Sequence, residues 1–516
     1  MASASTTTVK ALFLNPPFHR HFSREQRSPA VTKSGTLYYP KWLATAAGVA
    51  IRAGHEVDLI DAPAKGLSTD YVVQRMESKG IRAVVCDTST PSIVNDLQVI
   101  KEITARLPDL RVLLVGRHVS VFPAAVLEGC PQVEAVALRE YEFTALDWLN
   151  AVACGASLDG IQGLGWRDKS GHYIQNAPRP PLENLDELPF VCEVYKRFLD
   201  FTDYFYSHTP HPLIVFDTSR GCPFHCNFCV YPQTFSGHSM RYRSVENVVE
   251  EFRYCAAEFP GLKAVMLEDD TFIIDKRRTL ALAEALVASG NRLQISANCR
   301  PDIQLELSAL QTLRRAGFRL FCVGFESADQ EVVASINRTG SVGKSRTYHR
   351  DAEEFVRTCQ RAGVMVHGCF MFGHLDDTPQ TLRKTLTWAL KLDPDTAQFF
   401  PLMVYPGTAA YESAKARGWL TTEDFSQWLT VDGSHNSVVR LPQLSAQELV
   451  RFCDMARRRF YLRPRYIMHK AAQSLRSTDE LKRNVKGFLS VAKHLAFGSR
   501  LSEPDPESLA RSTQAS

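Results

Sequence analysis

The sequence predicts an α/β protein made of two parallel-sheet units followed by a helical region. Short Val- and Leu-rich runs alternate with amphipathic stretches over residues 9–150, and a second rhythm of alternation begins at residue 213. Continuous apolar runs between helices are typical of parallel sheets that are covered on both faces. Helix-like patterns dominate from residue 411. We therefore expect a doubly wound parallel sheet, a partial (β/α) barrel and a helical C-terminal region.

The first unit contains five strand-like runs, VKALFLNP, EVDLIDA, AVVCDTST, VLLVGRHVS and VEAVALRE. Such runs predict a flavodoxin-like domain, whose ligands lie beyond the carboxyl ends of the strands. Polar or glycine residues follow these runs: Asn15 to Pro17, Asp61, Thr88, Ser89, Thr90 and Gly116 to His118. Because turns between strands and helices are polar in any case, a ligand rim and ordinary turns both remain open.

A different pattern separates the two units. The stretch GLGWRDKSGHYIQ predicts a β-hairpin with a tight turn, and the Pro-rich stretch NAPRPPLENLDELP predicts a linker.

The second unit contains six strand-like runs, LIVFDTS, AVMLEDD, LQISANCR, FRLFCVGFES, MVHGCFMFG and AQFFPLMVY. Six β/α units in about 200 residues predict an incomplete barrel, since a full barrel has eight units and about 250 residues. The functional residues of such barrels lie at the carboxyl ends of the strands.

The C-terminal region contains two clear helical segments, SAQELVRFCDMARRRFYL and TDELKRNVKGFLSVAKHLAFG. The final stretch, SRLSEPDPESLARSTQAS, is polar and predicts disorder. The segment ARRRFYLRPRYIMHK interleaves six basic residues with aromatic ones. This pattern is typical of a solvated face with snorkelling side chains, and contact with a membrane surface or an anionic substrate is the alternative.

Composition excludes several classes of protein. The formal net charge of +4, from 60 basic and 56 acidic residues, is too small to indicate a nucleic-acid partner. Thirteen scattered cysteines do not form a disulfide framework and favour a reducing compartment. We find no secretory signal and no apolar run of about 18 residues, so we expect a cytoplasmic protein for which peripheral membrane contact stays open.

The stretch TSRGCPFHCNFCVYPQ places Cys222, Cys226 and Cys229 within eight residues. Structural zinc sites usually combine two cysteine pairs, and the sequence has no second pair; zinc with a remote fourth ligand stays an alternative. A [4Fe–4S] cluster held by three thiolates leaves one iron open for a small molecule. Phe228 would add an apolar wall beside that cluster.

This cysteine loop resembles the signature of the radical S-adenosylmethionine (SAM) superfamily. In that superfamily the open iron binds the amino and carboxylate groups of SAM. Electron transfer from the cluster then cleaves SAM to methionine and a 5′-deoxyadenosyl radical. The resemblance implies a [4Fe–4S] cluster and SAM as cofactors, and an electron donor such as flavodoxin or ferredoxin.

The resemblance also implies SAM contacts at the ends of the barrel strands. Asp269 and Asp270 would accept hydrogen bonds from the SAM amino group, although capping of the next helix is the simpler alternative. Arg300 would bind the SAM carboxylate. Glu326 and Ser327 would meet the ribose or the methionyl end. The stretch MFGHLDDT departs from the Gly-x-Pro-Gly-Glu-Thr turn of many relatives, which puts the local loop geometry in doubt.

A flavodoxin-like domain before a radical SAM barrel resembles the cobalamin-binding subclass. The resemblance implies cobalamin over the strand ends of the first unit, in contact with Thr88, Ser89, Thr90, Gly116 and His118. The Asp-x-His-x-x-Gly motif that often supplies an axial histidine is absent from the sequence, as it is from many members.

Longer segments resemble the hopanoid-biosynthesis radical SAM proteins of the bacteriohopanetetrol cyclitol ether type. They include YYPKWLATAAGVAIRAGHEVDLIDAPA, RGCPFHCNFCVYPQTFSGHSMRYRS and YPGTAAYESAKARGWL, and residues 338–350 resemble an insertion. That group's implied chemistry is the remodelling of a ribose-derived hopanoid side chain into a cyclitol ether. The resemblance carries the fold and the cofactors further than it carries the substrate.

We expect hydrogen abstraction followed by rearrangement or cyclisation of a small-molecule or lipid substrate, such as a hopanoid side chain. The alternatives are a cobalamin-dependent C- or P-methyltransferase of secondary metabolism and, more remotely, an iron–sulfur electron-transfer protein. Methylthiolation of RNA or protein would need a second cluster on N-terminal cysteines, whereas Cys86, Cys130 and Cys154 fall in separate elements.

Five divisions of the chain are predicted: a cobalamin-binding-like domain (9–152), a hairpin and linker (153–205), a radical SAM partial barrel (206–410), a helical region (411–498) and a disordered tail (499–516).

Overall fold

The computed structural model describes residues 8–340, 346–475 and 485. The strands of the first sheet are β1 (Lys10–Asn15), β2 (Glu56–Asp61), β3 (Ala83–Thr88), β4 (Arg111–Gly116), β5 (Ala135–Ala137), β6 (Leu164–Arg167) and β7 (Tyr173–Gln175). They pair in the order β2-β1-β3-β4-β5-β6-β7. Strands β1 to β5 are parallel, which confirms the doubly wound sheet, and the predicted hairpin adds β6 and β7 as antiparallel edge strands.

The helices of this unit are α1 (Lys41–Arg52), α2 (Ala62–Lys65), α3 (Thr69–Lys79), α4 (Ile93–Arg106), α5 (Arg117–Val121), α6 (Pro123–Gly129), α7 (Glu142–Cys154) and α8 (Val191–Phe198). Side chains of β1 alternate between the two faces of the sheet, as strand geometry requires. Phe13 lies in the core cluster that contains residues of α1 and α7, and Leu14 lies in the cluster that contains residues of α3 and α4. Helix α8 lies inside the predicted linker. The sequence did not predict it, because a helix of only eight residues shows too little periodicity of apolar residues.

The second unit begins with β8 (Leu213–Phe216), a small ribbon of β9 (Ser219–Arg220) and β10 (Arg241–Tyr242), and helices α9 (Val230–Thr234) and α10 (Val245–Glu258). It continues with β11 (Ala264–Leu267), α11 (Lys276–Ala288), β12 (Gln294–Cys299), α12 (Leu307–Arg315), β13 (Phe318–Glu326), α13 (Gln330–Ser335), α14 (Tyr348–Ala362), β14 (Met365–Phe372), α15 (Pro379–Leu392) and β15 (Thr396–Pro401). Strands β8, β11, β12, β13, β14 and β15 form a parallel sheet in that order, which confirms the six-unit partial barrel.

The C-terminal region contains α16 (Ala409–Ala416), α17 (Ala446–Tyr461) and α18 (Pro464–Ser474). Helix α17 begins with a capping box of Ser445 and Glu448 and packs on β15. Residues 417–445 are mostly irregular, with isolated bridges and left-handed glycines, so the helical expectation holds for only part of this region. The predicted helix at 478–498 apart from residue 485, the tail at 499–516 and residues 341–345 of the apparent insertion lie outside the described residues.

Residues 16–38, here called the covering segment, pass over the carboxyl ends of the first sheet. Arg24 in this segment is buried and donates to the Asn15 carboxamide (2.7 Å) at the end of β1. It also forms an ion pair with Asp96 at 2.6 Å, in which neither side chain has any exposed surface. Asn15 in turn donates to Asp61 at the end of β2. The position where doubly wound sheets usually bind ligands is therefore filled by the chain itself.

Replacement of Arg24 by Ala should lower the free energy of unfolding by about 3–5 kcal/mol, because Asp96 would remain as an unpaired buried charge. Denaturant unfolding followed by tryptophan fluorescence would measure this change. The control is Arg106→Ala, which breaks an exposed ion pair with Asp70 and should cost less than about 1 kcal/mol. Equal losses in the two variants would contradict the importance of the buried pair.

Candidate active site

The three predicted cluster ligands, Cys222, Cys226 and Cys229, line a cavity of about 840 Å³ at the carboxyl ends of the barrel strands. Their loop is held by backbone contacts: the Cys229 amide donates to the Cys226 carbonyl at 3.1 Å. The Gln233 carboxamide donates to the carbonyls of Cys226 and Cys229 at 3.1 and 2.8 Å. These contacts leave all three sulfur atoms available to a metal cluster.

Two buried arginines approach Cys226. Arg300, at the end of β12, places Nη1 3.7 Å from Cys226 Sγ, and Arg338 places Nη1 3.6 Å from the same sulfur. The Asp302 carboxylate accepts from Arg300 at 2.8 and 3.0 Å, and the Phe224 ring lies under the Arg300 guanidinium at 3.6 Å. Two cations thus border the cluster loop, where they could meet an anionic group. The sequence did not predict Arg338 as a site residue, because it lies in the apparent insertion at residues 338–350.

Glu326 ends β13 in a left-handed conformation with φ of 60°, which is a strained conformation for a non-glycine residue. Its carboxylate lies 3.7 Å from Arg338 Nη2, while Glu326 Oε2 and Arg338 Nε are buried without a hydrogen-bond partner among the described residues. Burial raises the pKa of Glu326, and the cation of Arg338 opposes that effect. A Cβ on Gly324 would lie 2.5 Å from Glu326 Oε1 and 2.9 Å from Arg338 Nη2, so a larger residue there would displace the ends of both side chains. Strain and unsatisfied polar atoms together indicate a polar ligand.

The two predicted aspartates have different roles in the structure. Asp269 accepts from the Thr218 amide and hydroxyl at 2.7 Å each and from the Ser219 hydroxyl at 2.6 Å, so it braces the start of the cysteine loop. Asp270 lines the cavity and pairs with Arg27 of the covering segment at 3.1 Å. Arg27 escaped prediction because its segment has no regular pattern.

Of the two remaining predicted SAM-site residues, Phe228 and Ser327, only the first lines the cavity. Phe228 lines the cavity, and its ring lies 5.4 Å from that of His374. Burial lowers the pKa of His374 to about 3, so this imidazole is neutral. Ser327 is buried, contacts Thr385 of α15 at 3.3 Å and does not line the cavity. The unusual turn after β14 is held by Asp377, which accepts from the amides of Gly373 and His374.

The predicted cobalamin contacts lie under the covering segment. They are buried residues that lie outside the cavity wall in the described structure: Thr88, Ser89, Thr90, Gly116 and His118. Thr88 donates to the Val115 carbonyl, and a Cβ on Gly116 would lie 2.3 Å from the Thr88 carbonyl oxygen. The ring of His118 lies 5.1 Å from that of Phe425. The contacts of these residues are therefore with the protein itself.

Two family models match the chain. A model of the Radical SAM superfamily matches residues 217–389, and a model of the B12 binding domain matches residues 27–146. The matches cover most of the barrel, including the cysteine loop, and strands β2 to β5 of the first sheet. The protein is therefore a radical SAM enzyme that carries a B12-binding domain.

Three relatives match over most of the chain. An uncharacterized methyltransferase of Pyrococcus horikoshii is 29% identical over 89% of this chain and 95% of its own length. An anaerobic magnesium-protoporphyrin IX monomethyl ester cyclase of Rubrivivax gelatinosus is 23% identical over 93% of this chain and 82% of the cyclase. A hopanoid C-3 methylase of Methylococcus capsulatus is 26% identical over 72% of this chain and 68% of the methylase.

Solved structures show the same fold. The radical SAM methyltransferase TsrM of Kitasatospora setae, with cobalamin and a [4Fe–4S] cluster bound, superimposes with a TM-score of 0.64 at 20% identity, covering 87% of this chain and 81% of TsrM. The cobalamin-dependent SAM radical enzyme OxsB superimposes with a TM-score of 0.67 at 14% identity, covering 99% of this chain and 75% of OxsB.

The cofactors of this enzyme are a [4Fe–4S] cluster and SAM, and the B12-binding domain supports cobalamin as a third. The donor set fits the first two: three thiols face the cavity, and buried atoms of Glu326 and Arg338 beside them lack partners within the described part of the chain. In the described structure the covering segment lies over the carboxyl ends of the first sheet, so Thr88, Ser89, Thr90, Gly116 and His118 would contact a corrinoid only after that segment moved.

Replacement of Glu326 by Gln should weaken SAM binding by about 10- to 100-fold, the value of a charge-assisted hydrogen bond, at unchanged iron content. Because burial raises the pKa of Glu326, the affinity of the wild-type protein should fall as the pH is lowered and the carboxylate takes up a proton. The variant should lose this pH dependence. Equilibrium dialysis with SAM across pH would measure both effects.

The control for this experiment is Glu331→Gln on α13, outside the cavity, which should bind SAM like the wild-type protein. A Glu326→Gln protein with wild-type affinity at every pH would exclude a direct contact between Glu326 and SAM.

Proposed function

We propose that this enzyme transfers a methyl group from SAM to an unreactive carbon or phosphorus of a large, mainly apolar substrate. The observation that carries the proposal is one continuous cavity, which reaches from the three cysteines to helix α18. Its volume of about 840 Å³ lies near the upper end of the range for small-molecule sites. Such a cavity has room for more than SAM alone.

Methyl transfer has more support than the rearrangement or cyclisation that the sequence suggested. Two of the three relatives described above are named as methylating enzymes, and one of them is the hopanoid C-3 methylase. The cyclase relative spans 93% of this chain, which keeps rearrangement or cyclisation as the second candidate. We propose a hopanoid or a similarly apolar biosynthetic lipid as the substrate class.

The residues of the chain have distinct parts in this proposal. The cluster, when bound, supplies the electron that cleaves SAM. Cys222, Cys226 and Cys229 would hold it, and Arg300 and the Arg338–Glu326 pair would hold the charged end of SAM. Phe228 and the other apolar wall residues keep water from the reacting carbon. Because the guanidinium groups are already fixed by protein partners, little ordering is needed when SAM binds.

The mouth of the cavity supports a lipid substrate. Leu462, Ile467 and Met468 are 51%, 53% and 66% exposed, and two of them also line the cavity. Ile467 and Met468 lie on α18 together with the basic residues Arg465 and Lys470. Exposed apolar side chains beside basic ones are typical of surfaces that contact anionic bilayers. We propose a cytoplasmic enzyme with peripheral membrane contact and a flavodoxin or ferredoxin as electron donor; no helix among the described residues is long and apolar enough to span a membrane.

The central test counts products. The anaerobically reconstituted protein, with SAM, a strong reductant and a hopanoid-containing lipid extract, should form 5′-deoxyadenosine and S-adenosylhomocysteine in about equal amounts, because one SAM starts the radical reaction and another gives its methyl group. Parallel reactions with and without hydroxocobalamin would show whether the second product requires it. Mass spectrometry quantifies both products.

Cys226→Ala is the control for this assay and should form neither product, since it removes a cluster ligand. Deoxyadenosine without S-adenosylhomocysteine would contradict methyl transfer and support rearrangement or cyclisation. The absence of both products from a wild-type protein with a full cluster would contradict the proposed substrate class.

The membrane proposal predicts co-sedimentation with liposomes that contain anionic lipid, and weaker co-sedimentation as salt is raised. The Ile467→Glu/Met468→Glu protein should stay in the supernatant, because two apolar contacts become charged. The control is Val287→Glu, a change at a 43% exposed position on α11. Equal recovery of wild-type protein in the supernatant with and without anionic lipid would contradict the proposal.

A further inference from the structure

A second group of soft ligands lies inside the barrel, apart from the cluster loop. The sulfur atoms of Cys322 and Cys369 and a ring nitrogen of His367 all lie within 4.8 Å of one another. The two sulfurs are 3.6 Å apart. All three residues line the cavity, and both cysteines are only partly buried although they lie in central strands.

The register of the parallel sheet produces this group. Cys322 of β13 lies opposite His367 of β14, and Gly324 lies opposite Cys369. Because strand side chains alternate, positions 367 and 369 face the same side as 322, towards the inside of the barrel. The Thr396 hydroxyl lies 2.7 Å from His367 Nδ1 and orients the ring. The His208 ring stacks on it at 4.7 Å.

We propose that Cys322, His367 and Cys369 bind a zinc ion whose fourth position opens into the substrate cavity. Two thiolates and one imidazole are a known ligand set for zinc with an open fourth position. Two thiolates also neutralise the charge of Zn²⁺, which suits a lumen with apolar walls. The Thr396 contact matches the outer hydrogen bond that metal-binding histidines usually make. The open position would take an oxygen or sulfur atom of the substrate and hold it in the barrel.

The group differs from ordinary core cysteines in this chain. Cys192 and Cys255 form another close pair, with sulfurs 3.1 Å apart, but both are fully buried outside the cavity wall. No histidine joins that pair among the described residues. This second pair is therefore a matched control for two adjacent thiols without a metal site.

Zinc X-ray absorption tests the site in the intact enzyme, because the zinc edge does not detect the iron of the cluster. The reconstituted protein, given one equivalent of zinc and desalted anaerobically, should keep about one zinc ion per chain. Its spectrum should show two sulfur neighbours at about 2.3 Å and nitrogen at about 2.0 Å. Adding 1-butanethiol should raise the number of sulfur neighbours from two to three.

The Cys322→Ser/Cys369→Ser protein should lose the zinc and keep its iron, which shows that the chain remains folded around its cluster. The Cys192→Ser/Cys255→Ser protein should keep both metals. The proposal is overturned if the wild-type protein retains no zinc, if the Cys322→Ser/Cys369→Ser protein retains as much, or if anaerobic protein contains a Cys322–Cys369 disulfide. An unchanged spectrum with 1-butanethiol would overturn the open position.

Discussion

The buried ion pair between Arg24 and Asp96 is the interaction on which the rest of this structure depends. It holds the covering segment on the first sheet, and the Arg117 guanidinium reinforces it by donating to the carbonyls of Arg24 and Gln26 at 2.7 Å each. Three residues after Arg24, Arg27 reaches Asp270 in the barrel. One short segment thus connects the first sheet to the cavity. Loss of either ion pair would leave an unpaired charge on Asp96 or Asp270, which is costly at a buried position.

The cavity wall near the cysteines is built from charges that are already paired. Arg27 pairs with Asp270, Arg300 with Asp302, and Arg338 with Glu326. Pairing keeps these side chains in place, while buried atoms of Glu326 and Arg338 that have no partner among the residues the structure describes leave specific capacity for a polar ligand. The cavity wall around Cys322, His367 and Cys369 differs, since sulfur and imidazole groups face the lumen there. This division suits a charged cofactor near the mouth of the barrel and an apolar substrate inside it.

Sequence patterns predicted the strands well because parallel strands covered on both faces need continuous apolar runs. The five parallel strands of the first sheet and the six of the barrel appear where those runs lie. Helix α8 and the irregular stretch 417–445 were predicted poorly, since short buried segments and turn-rich stretches have little periodicity. The cysteine loop could be singled out because its three cysteines are close together in the chain.

By itself, the sequence determined the two parallel-sheet units and the class of enzyme, and it proposed Cys222, Cys226 and Cys229 as cluster ligands, since each of these depends on local patterns or short spacings. Only the tertiary structure decided that Arg338 and Arg300 meet at Cys226 and that Asp270 rather than Asp269 faces the cavity. It also decided that Arg24 lies at the carboxyl ends of the strands of the first sheet. These contacts join residues that are far apart in the chain. Strand register and side-chain direction set them, and neither can be read from the local order of residues.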